Sequence, residues 1–331
     1  MARVLAESWH RFHPDAPLFA LFLDSPQGFF APDRETFHYV NVSQLDIPNL
    51  NGFLFKYSIL EASTAVKPYL LQYLFRTFPI KKLLYLDPDI LVLDSLEDLS
   101  KHLNEANILL TPHLLSPLPL DGRHQDDHDV LRAGTYNLGF LGLRNSIETR
   151  RLLHWWANKL YHHCLVSMQD NLFVDQRWMD LVPAVFQGVH ILREPGYNVA
   201  YWNLHERAVC CGEPVTVNGE PLYFFHFSGF DPEKLWVVSK YQNRYTQADT
   251  GGARRLYTRY RDLLMEKGWR ETSGWSYGND FFTNGLKIPS SARRFYWELG
   301  DDVAYLGNPF SWLDEKSEAQ PNPQFDLRPK E

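Results

Sequence analysis

Asp87 and Asp89 flank a single proline between two apolar runs, Leu83-Leu84-Tyr85-Leu86 and Ile90-Leu91-Val92-Leu93. A carboxylate is costly to bury unless it is paired or binds a cation. In extended chain, residues two apart share a face, so both acids can address one ion. Hard oxygen ligands suit Mg²⁺ or Mn²⁺, and such an ion commonly carries a nucleotide diphosphate. The plainer alternative is a strand-end turn, where Asp and Pro are ordinary. Two carboxylates under-coordinate a six-ligand ion. His226, in the aromatic run Tyr223-Phe224-Phe225-His226-Phe227-Ser228-Gly229-Phe230, is a third ligand candidate, and an imidazole suits Mn²⁺ better than Mg²⁺. The alternative for a lone His is a core residue bonded to a backbone carbonyl.

Three more segments combine polar and apolar residues in ways that suit a sugar. In Gly134-Thr135-Tyr136-Asn137-Leu138-Gly139-Phe140, Asn137 can donate to and accept from hydroxyls, and Gly139 permits close approach of a ligand. A structural Asn in a bulged strand is the competing reading. In Asp170-Asn171-Leu172-Phe173-Val174-Asp175-Gln176, the two acids are expected about a turn apart on a helix. Asp175 can then accept from sugar hydroxyls while Gln176 faces a reacting carbon. A solvated helix end would use the same residues. Lys67, just before Pro68, can meet a diphosphate as a point charge, or can be a snorkelling surface lysine.

The elements that must position these groups alternate. Helices are expected over 3–11, 58–75, 95–103 and 147–162, with Pro68 starting or kinking the second. Strands are expected over 17–23, 83–85, 90–92, 108–111 and 140–143, and residues 112–132 read as loop. This alternation predicts an α/β sandwich with a mostly parallel sheet. From about Trp236, aromatics and arginines interleave at helical spacing. The expected organisation is a catalytic domain over 1–230, a helical extension over 231–313 and a disordered tail over 314–331.

The chain has 331 residues, 44% of them hydrophobic, with a net charge of −7. That bounds one large domain with an extension, or two medium domains, and excludes the basic signature of bulk nucleic-acid binding. No apolar run reaches the roughly 18 residues of a membrane span, and the first residues lack the apolar core of a signal peptide. The three cysteines, two of them adjacent, fit no metal spacing or disulfide framework. A reducing, cytoplasmic setting follows. A haloacid-type phosphatase is disfavoured, because Leu91 stands where that reading expects Thr or Val.

Taken together, these segments resemble a GT-A glycosyltransferase of the retaining family eight, which includes glycogenin and bacterial galactosyltransferases. Tyr85 to Val92 resembles the family's Asp-x-Asp strand, Tyr136 to Phe140 its Asn-x-Gly strand, Asp175-Gln176 its Asp-Gln pair and His226 to Gly229 its His-x-x-Gly motif. The resemblance implies a GT-A α/β fold and a hexosyltransferase that uses a UDP-sugar with Mn²⁺ (or Mg²⁺). It implies metal ligation by Asp87, Asp89 and His226. It also implies donor contacts from Lys67, Asn137, Gly139, Asp175 and Gly229, with Gln176 beside the anomeric carbon. The acceptor would be a glycan or glycolipid of bacterial polysaccharide synthesis, met in the cytoplasm or at the inner face of the membrane. The family's Lys-Pro pair after His-x-x-Gly is absent, which leaves Lys234 or Arg244 to supply that charge. The family's first strand and base-binding loop also have no match. The expectation is therefore weak UDP binding and an association-prone sheet edge, relieved by about 10 to 20 further upstream residues. The alternative is a non-catalytic nucleotide-sugar or glycan-binding relative.

Overall fold

In the computed structural model, which describes residues 1–25, 30–300, 303 and 306–313, the chain opens with helix α1 (Ala2–Phe12). Strands β1 (Phe19–Phe22) and β2 (His38–Asn41) follow, then helices α2 (Leu50–Lys56), α3 (Ile59–Ala65) and α4 (Lys67–Thr77). The centre comprises β3 (Lys82–Leu86), β4 (Ile90–Val92), α5 (Glu97–Glu105), β5 (Ile108–Leu110), α6 (Asp127–Ala133), β6 (Phe140–Arg144) and α7 (Ile147–His163). A short hairpin, β7 (Val166–Ser167) and β8 (Leu172–Phe173), leads to α8 (Val182–Val185) and β9 (Val189–Ile191). A meander of β10 (Val209–Cys211), β11 (Val215–Val217) and β12 (Glu220–Pro221) precedes β13 (Phe224–His226). Helices α9 (Ala253–Glu266), α10 (Trp269–Thr272) and α11 (Ser290–Glu298) come last.

The expected helix over 58–75 is two helices. Ser58 and Glu61 form a capping box that starts α3. Pro68, which has no N–H to give, sits in the first turn of α4, where that donor would be unpaired anyway. Residues 112–132, expected as loop, contain α6, which Asp126 and Asp129 cap reciprocally. Asp170 and Asp175 share no helix. Asp170 lies between β7 and β8, and a 3₁₀ turn begins only at Gln176.

The α/β layering stands, and the sheet is mixed. Its strand order is β3-β6-β5-β9, with β6 antiparallel to both neighbours and β5 parallel to β9. The connection from β5 to β6 carries α6, which packs against β8 and the 3₁₀ turn after it. No helix there crosses the sheet face, so β6 returns in the opposite sense. β1 and β2 pair in parallel, and β4 pairs with β13 antiparallel.

Three cores hold this together. The largest gathers Phe53, Phe55, Leu141 and the fully buried Trp156 beneath α2, α4 and α7. The second stacks Phe225, Phe227, Tyr257 and Tyr260 beneath α9. The third lies between α1, α5 and β13, around Leu5, Leu99 and Phe224. The helical stretch over 231–313 enters the same cores, through Leu256 and Tyr260 in one and Phe282 and Tyr296 in another. Arg293 of α11 donates to the carbonyls of Leu54, Phe55 and Tyr57, the unsatisfied end of α2. Residues 314–331 lie outside the described residues.

β3 is an edge strand, and β1 pairs only with β2 among the described residues. Residues of β1, β3, α1, α4 and α5, together with Asp87 and Asp89, line one cavity of about 870 Å³. No described helix is long and apolar enough to cross a membrane.

Candidate functional site

β3 delivers Asp87 and β4 begins just after Asp89, so one tight turn presents both carboxylates at the end of the sheet. The β4–β13 register sets His226 opposite Ile90, and Phe227 N–H donates to the Asp89 carbonyl at 2.9 Å. His226 Nε2 consequently lies 3.0 Å from Asp89 Oδ1 and 4.0 Å from Asp87 Oδ2. One ligand atom from each of the three residues falls within 4.8 Å of the others, a donor set of two carboxylates and an imidazole that fits Mn²⁺. A second group, His124, Asp126 and Asp129, is already accounted for: its acids cap α6.

Lys67 and Asp175 stand behind this trio. Lys67 is 4% exposed, with Nζ 2.9 Å from Asp175, 3.3 Å from Asp87 and 3.0 Å from the Leu138 carbonyl. It also lies over the Tyr85 ring, whose hydroxyl donates to Asp87 at 2.7 Å. The ammonium thus faces two carboxylates and one carbonyl oxygen. Lys67, the expected diphosphate contact, stands in a clasp between two carboxylates.

The electrostatics follow from that count. Burial works against the Lys67 ammonium, but Asp175 and Asp87 outweigh it and hold its pKa well above the usual value. Burial raises the pKa of Asp175 against the opposing pull of Lys67. At Asp89 burial is outweighed by His226, and the carboxyl is lowered. At His226 burial is likewise outweighed, here by Asp89 and Asp87, and the imidazole is raised. Three carboxylates against one lysine leave two negative charges at the trio. A proton on His226 offsets one of them, and a divalent cation offsets both.

Asn137 is buried, and its Oδ1 accepts from Gly139 N–H at 3.0 Å. Gly139 has a packing reason to be glycine: a Cβ there would stand 2.2 Å from His226 Cε1. Gln176 follows the buried Asp175, but its Nε2 donates to the Ala133 carbonyl at 2.8 Å. Gly229 takes φ 69°, in the left-handed region, and a Cβ would meet Ser239 and Tyr241 at 2.7 Å. Lys234 is exposed and pairs with Asp231. Arg244 is buried, donating to Asp121 and to the carbonyls of Arg123 and Gln125. It pins the loop ahead of α6.

Four polar residues that sequence reasoning passed over complete the site: Tyr85, Thr111, His113 and Asn198. Asn198 carried a signal, a polar residue between apolar neighbours in Gly196-Tyr197-Asn198-Val199, and it takes φ 53°. Burial pushes the His113 pKa down to about 4, so its ring is neutral, and Nε2 meets Asn137 Nδ2 at 3.2 Å.

No protein-family model matches the chain. It is 31% identical over 169 residues to the uncharacterized protein YfnD of Bacillus subtilis (strain 168), covering 50% of each chain. It therefore spans half the length of that relative. To YfnF of the same organism it is 23% identical over 242 residues, covering 69% of this chain and 77% of the relative. Among solved structures it is similar to the galactosyltransferase LgtC in complex with donor and acceptor sugar analogs, at 16% identity and TM-score 0.43, covering 82% of this chain and 95% of that one. It is also similar to the glycosyltransferase GlyE of Streptococcus pneumoniae TIGR4, at 14% identity and TM-score 0.42, covering 85% and 62%. A third similar structure is a glycosyltransferase involved in the glycosylation of the major capsid of PBCV-1, at 12% identity and TM-score 0.36, covering 70% and 85%.

Proposed function

We propose that the chain is a metal-dependent glycosyltransferase that moves a hexose from a nucleotide-diphosphate sugar, by resemblance a UDP-sugar, to a glycan or glycolipid acceptor with retention. The observation that carries this reading is the trio Asp87, Asp89 and His226, which the Lys67 clasp leaves two charges negative. That excess and that donor chemistry call for a divalent cation, Mn²⁺ (or Mg²⁺), held by those three residues. When bound, the cation supplies Lewis-acid stabilisation of the departing diphosphate.

The chain's own residues divide the remaining work. Lys67 holds Asp87 and Asp175 in place. The cavity that Asp87 and Asp89 help to line is the proposed place of the donor nucleotide. Asn137 and Asp175 are the proposed contacts to the donor sugar. Gln176, an amide, is a poor nucleophile, so front-face attack is preferred to a covalent intermediate. The proposed setting is cytoplasmic or against the inner membrane face. One observation favours the non-catalytic alternative: the Gln176 amide is turned to the Ala133 carbonyl.

Incubation with a panel of UDP-hexoses and Mn²⁺, scored by UDP release, tests the proposal. The expected result is release that depends on Mn²⁺ and on one hexose in the panel. Tight UDP·Mn²⁺ binding with no release from any sugar would leave the non-catalytic alternative standing in its place.

A further inference from the structure

Hydrogen-bond polarity can be followed from a backbone group to the metal trio without a break. Gly139 N–H can only donate, so the Asn137 side-chain atom it meets at 3.0 Å is the carbonyl oxygen. That oxygen also lies 3.1 Å from the Asn198 side chain, which must present its NH₂ there. The same NH₂ reaches Thr111 Oγ1 at 2.8 Å. Asn198 is therefore left with its carbonyl oxygen facing His226 Nδ1, at 3.2 Å. An amide oxygen only accepts, so Nδ1 must carry a proton. The lone pair of neutral His226 is then on Nε2, the nitrogen that faces Asp89 and Asp87.

Asn198 is itself held without freedom to turn. It is fully buried, and its backbone carbonyl accepts from Asn203 Nδ2 at 3.1 Å. Its φ of 53° lies in the left-handed region, which Asn tolerates better than most residues. The adjoining Val199 bridges Phe225 of β13, one residue from His226. The amide is thus locked both to the strand that carries the ligand and to the Asn137–Gly139 turn behind it.

We infer that Asn198 is a positioning residue that fixes the Nδ1–H tautomer of His226, so that Nε2 is presented to a divalent cation. The inference rests on the metal site of the proposed function. Its physical basis is general: a ligating imidazole is oriented by what its other nitrogen bonds. Asn198 meets His226 in the interior of the protein and need not touch substrate.

The test loads the chain with cadmium-113 and reads nitrogen-15 signals of the histidines. The expected result is coupling of cadmium to His226 Nε2, with a slowly exchanging proton on Nδ1. Asn198→Ala should weaken cadmium and Mn²⁺ binding by about 10- to 100-fold, the range for loss of an outer partner. Asn198→Asp keeps an acceptor for Nδ1 but sets its second oxygen against the Asn137 oxygen, so it should recover only part of that loss. Coupling to Nδ1, or unchanged affinity in Asn198→Ala, would overturn the inference while leaving the metal site intact. Absence of any cadmium signal from His226 would overturn the metal site and, with it, this role. If Asn198→Ala does not fold, the wild-type coupling and Asn198→Asp still decide between the two nitrogens.

Discussion

Asp89→Ala is expected to abolish Mn²⁺ binding, and with it any Mn²⁺-dependent binding of UDP. The change removes a carboxylate ligand 3.0 Å from His226 Nε2. It also cuts the negative excess at the trio from two charges to one. The expected loss in Mn²⁺ affinity is at least about 100-fold, the upper end of what an outer partner alone costs. Asp94→Ala is the matched control, because Asp94 accepts from Ser95 N–H and touches none of the trio. It should leave Mn²⁺ binding unchanged in the same calorimetric titration. Equal affinity in wild type and Asp89→Ala would remove Asp89 from the site.

The same site predicts a direction with pH. In the metal-free protein His226 is raised above its ordinary value by Asp89 and Asp87 against burial. Its contribution to stability is then fully present below about 6.5, the unfolded value, and is lost as pH rises through the folded value. Metal binding needs Nε2 free of its proton. Mn²⁺ affinity should therefore fall as pH drops through the raised His226 pKa.

Lys67→Met should produce the largest loss of stability. Met fills much of the space of the lysine stem but brings no charge. It leaves Asp175, whose side chain is 3% exposed, with no cation within salt-bridge distance among the described residues. Breaking a buried pair by removing one partner costs roughly 3–5 kcal/mol, readable as a lower urea midpoint at unchanged slope. Asp175 is already raised by burial, so the cost of its charge appears as pH rises through its folded pKa. The deficit in Lys67→Met should accordingly shrink in acid. Adding Asp175→Asn should restore part of the stability at neutral pH. A deficit under about 1 kcal/mol, the scale of an exposed pair, would contradict the clasp.

Much of the trio was legible in the sequence because each member sits in a short apolar run, where a polar residue stands out. Asp87, Asp89 and His226 are of that kind, and so is Asn137. The clasp of Lys67 was not legible, because its partners come from β3, the segment before β6 and the segment after β8. Only the packed fold brings Asp87, the Leu138 carbonyl and Asp175 around one nitrogen. Asp170 was misread for a local reason: it sits in the turn between two two-residue strands, and Asp175 follows the second. Arg244 was a candidate for diphosphate binding because charge is visible in sequence and a buried carbonyl partner is not. The sense of β6 was likewise hidden, since α6 looks like loop and the path of a long connection leaves no periodic trace.

The most direct test of the central claim is calorimetric titration of the chain with UDP, once with Mn²⁺ and once after chelation of divalent ions. The account predicts binding that is at least about tenfold tighter with Mn²⁺, or 1.4 kcal/mol and more. UDP bound equally well in both titrations would contradict it.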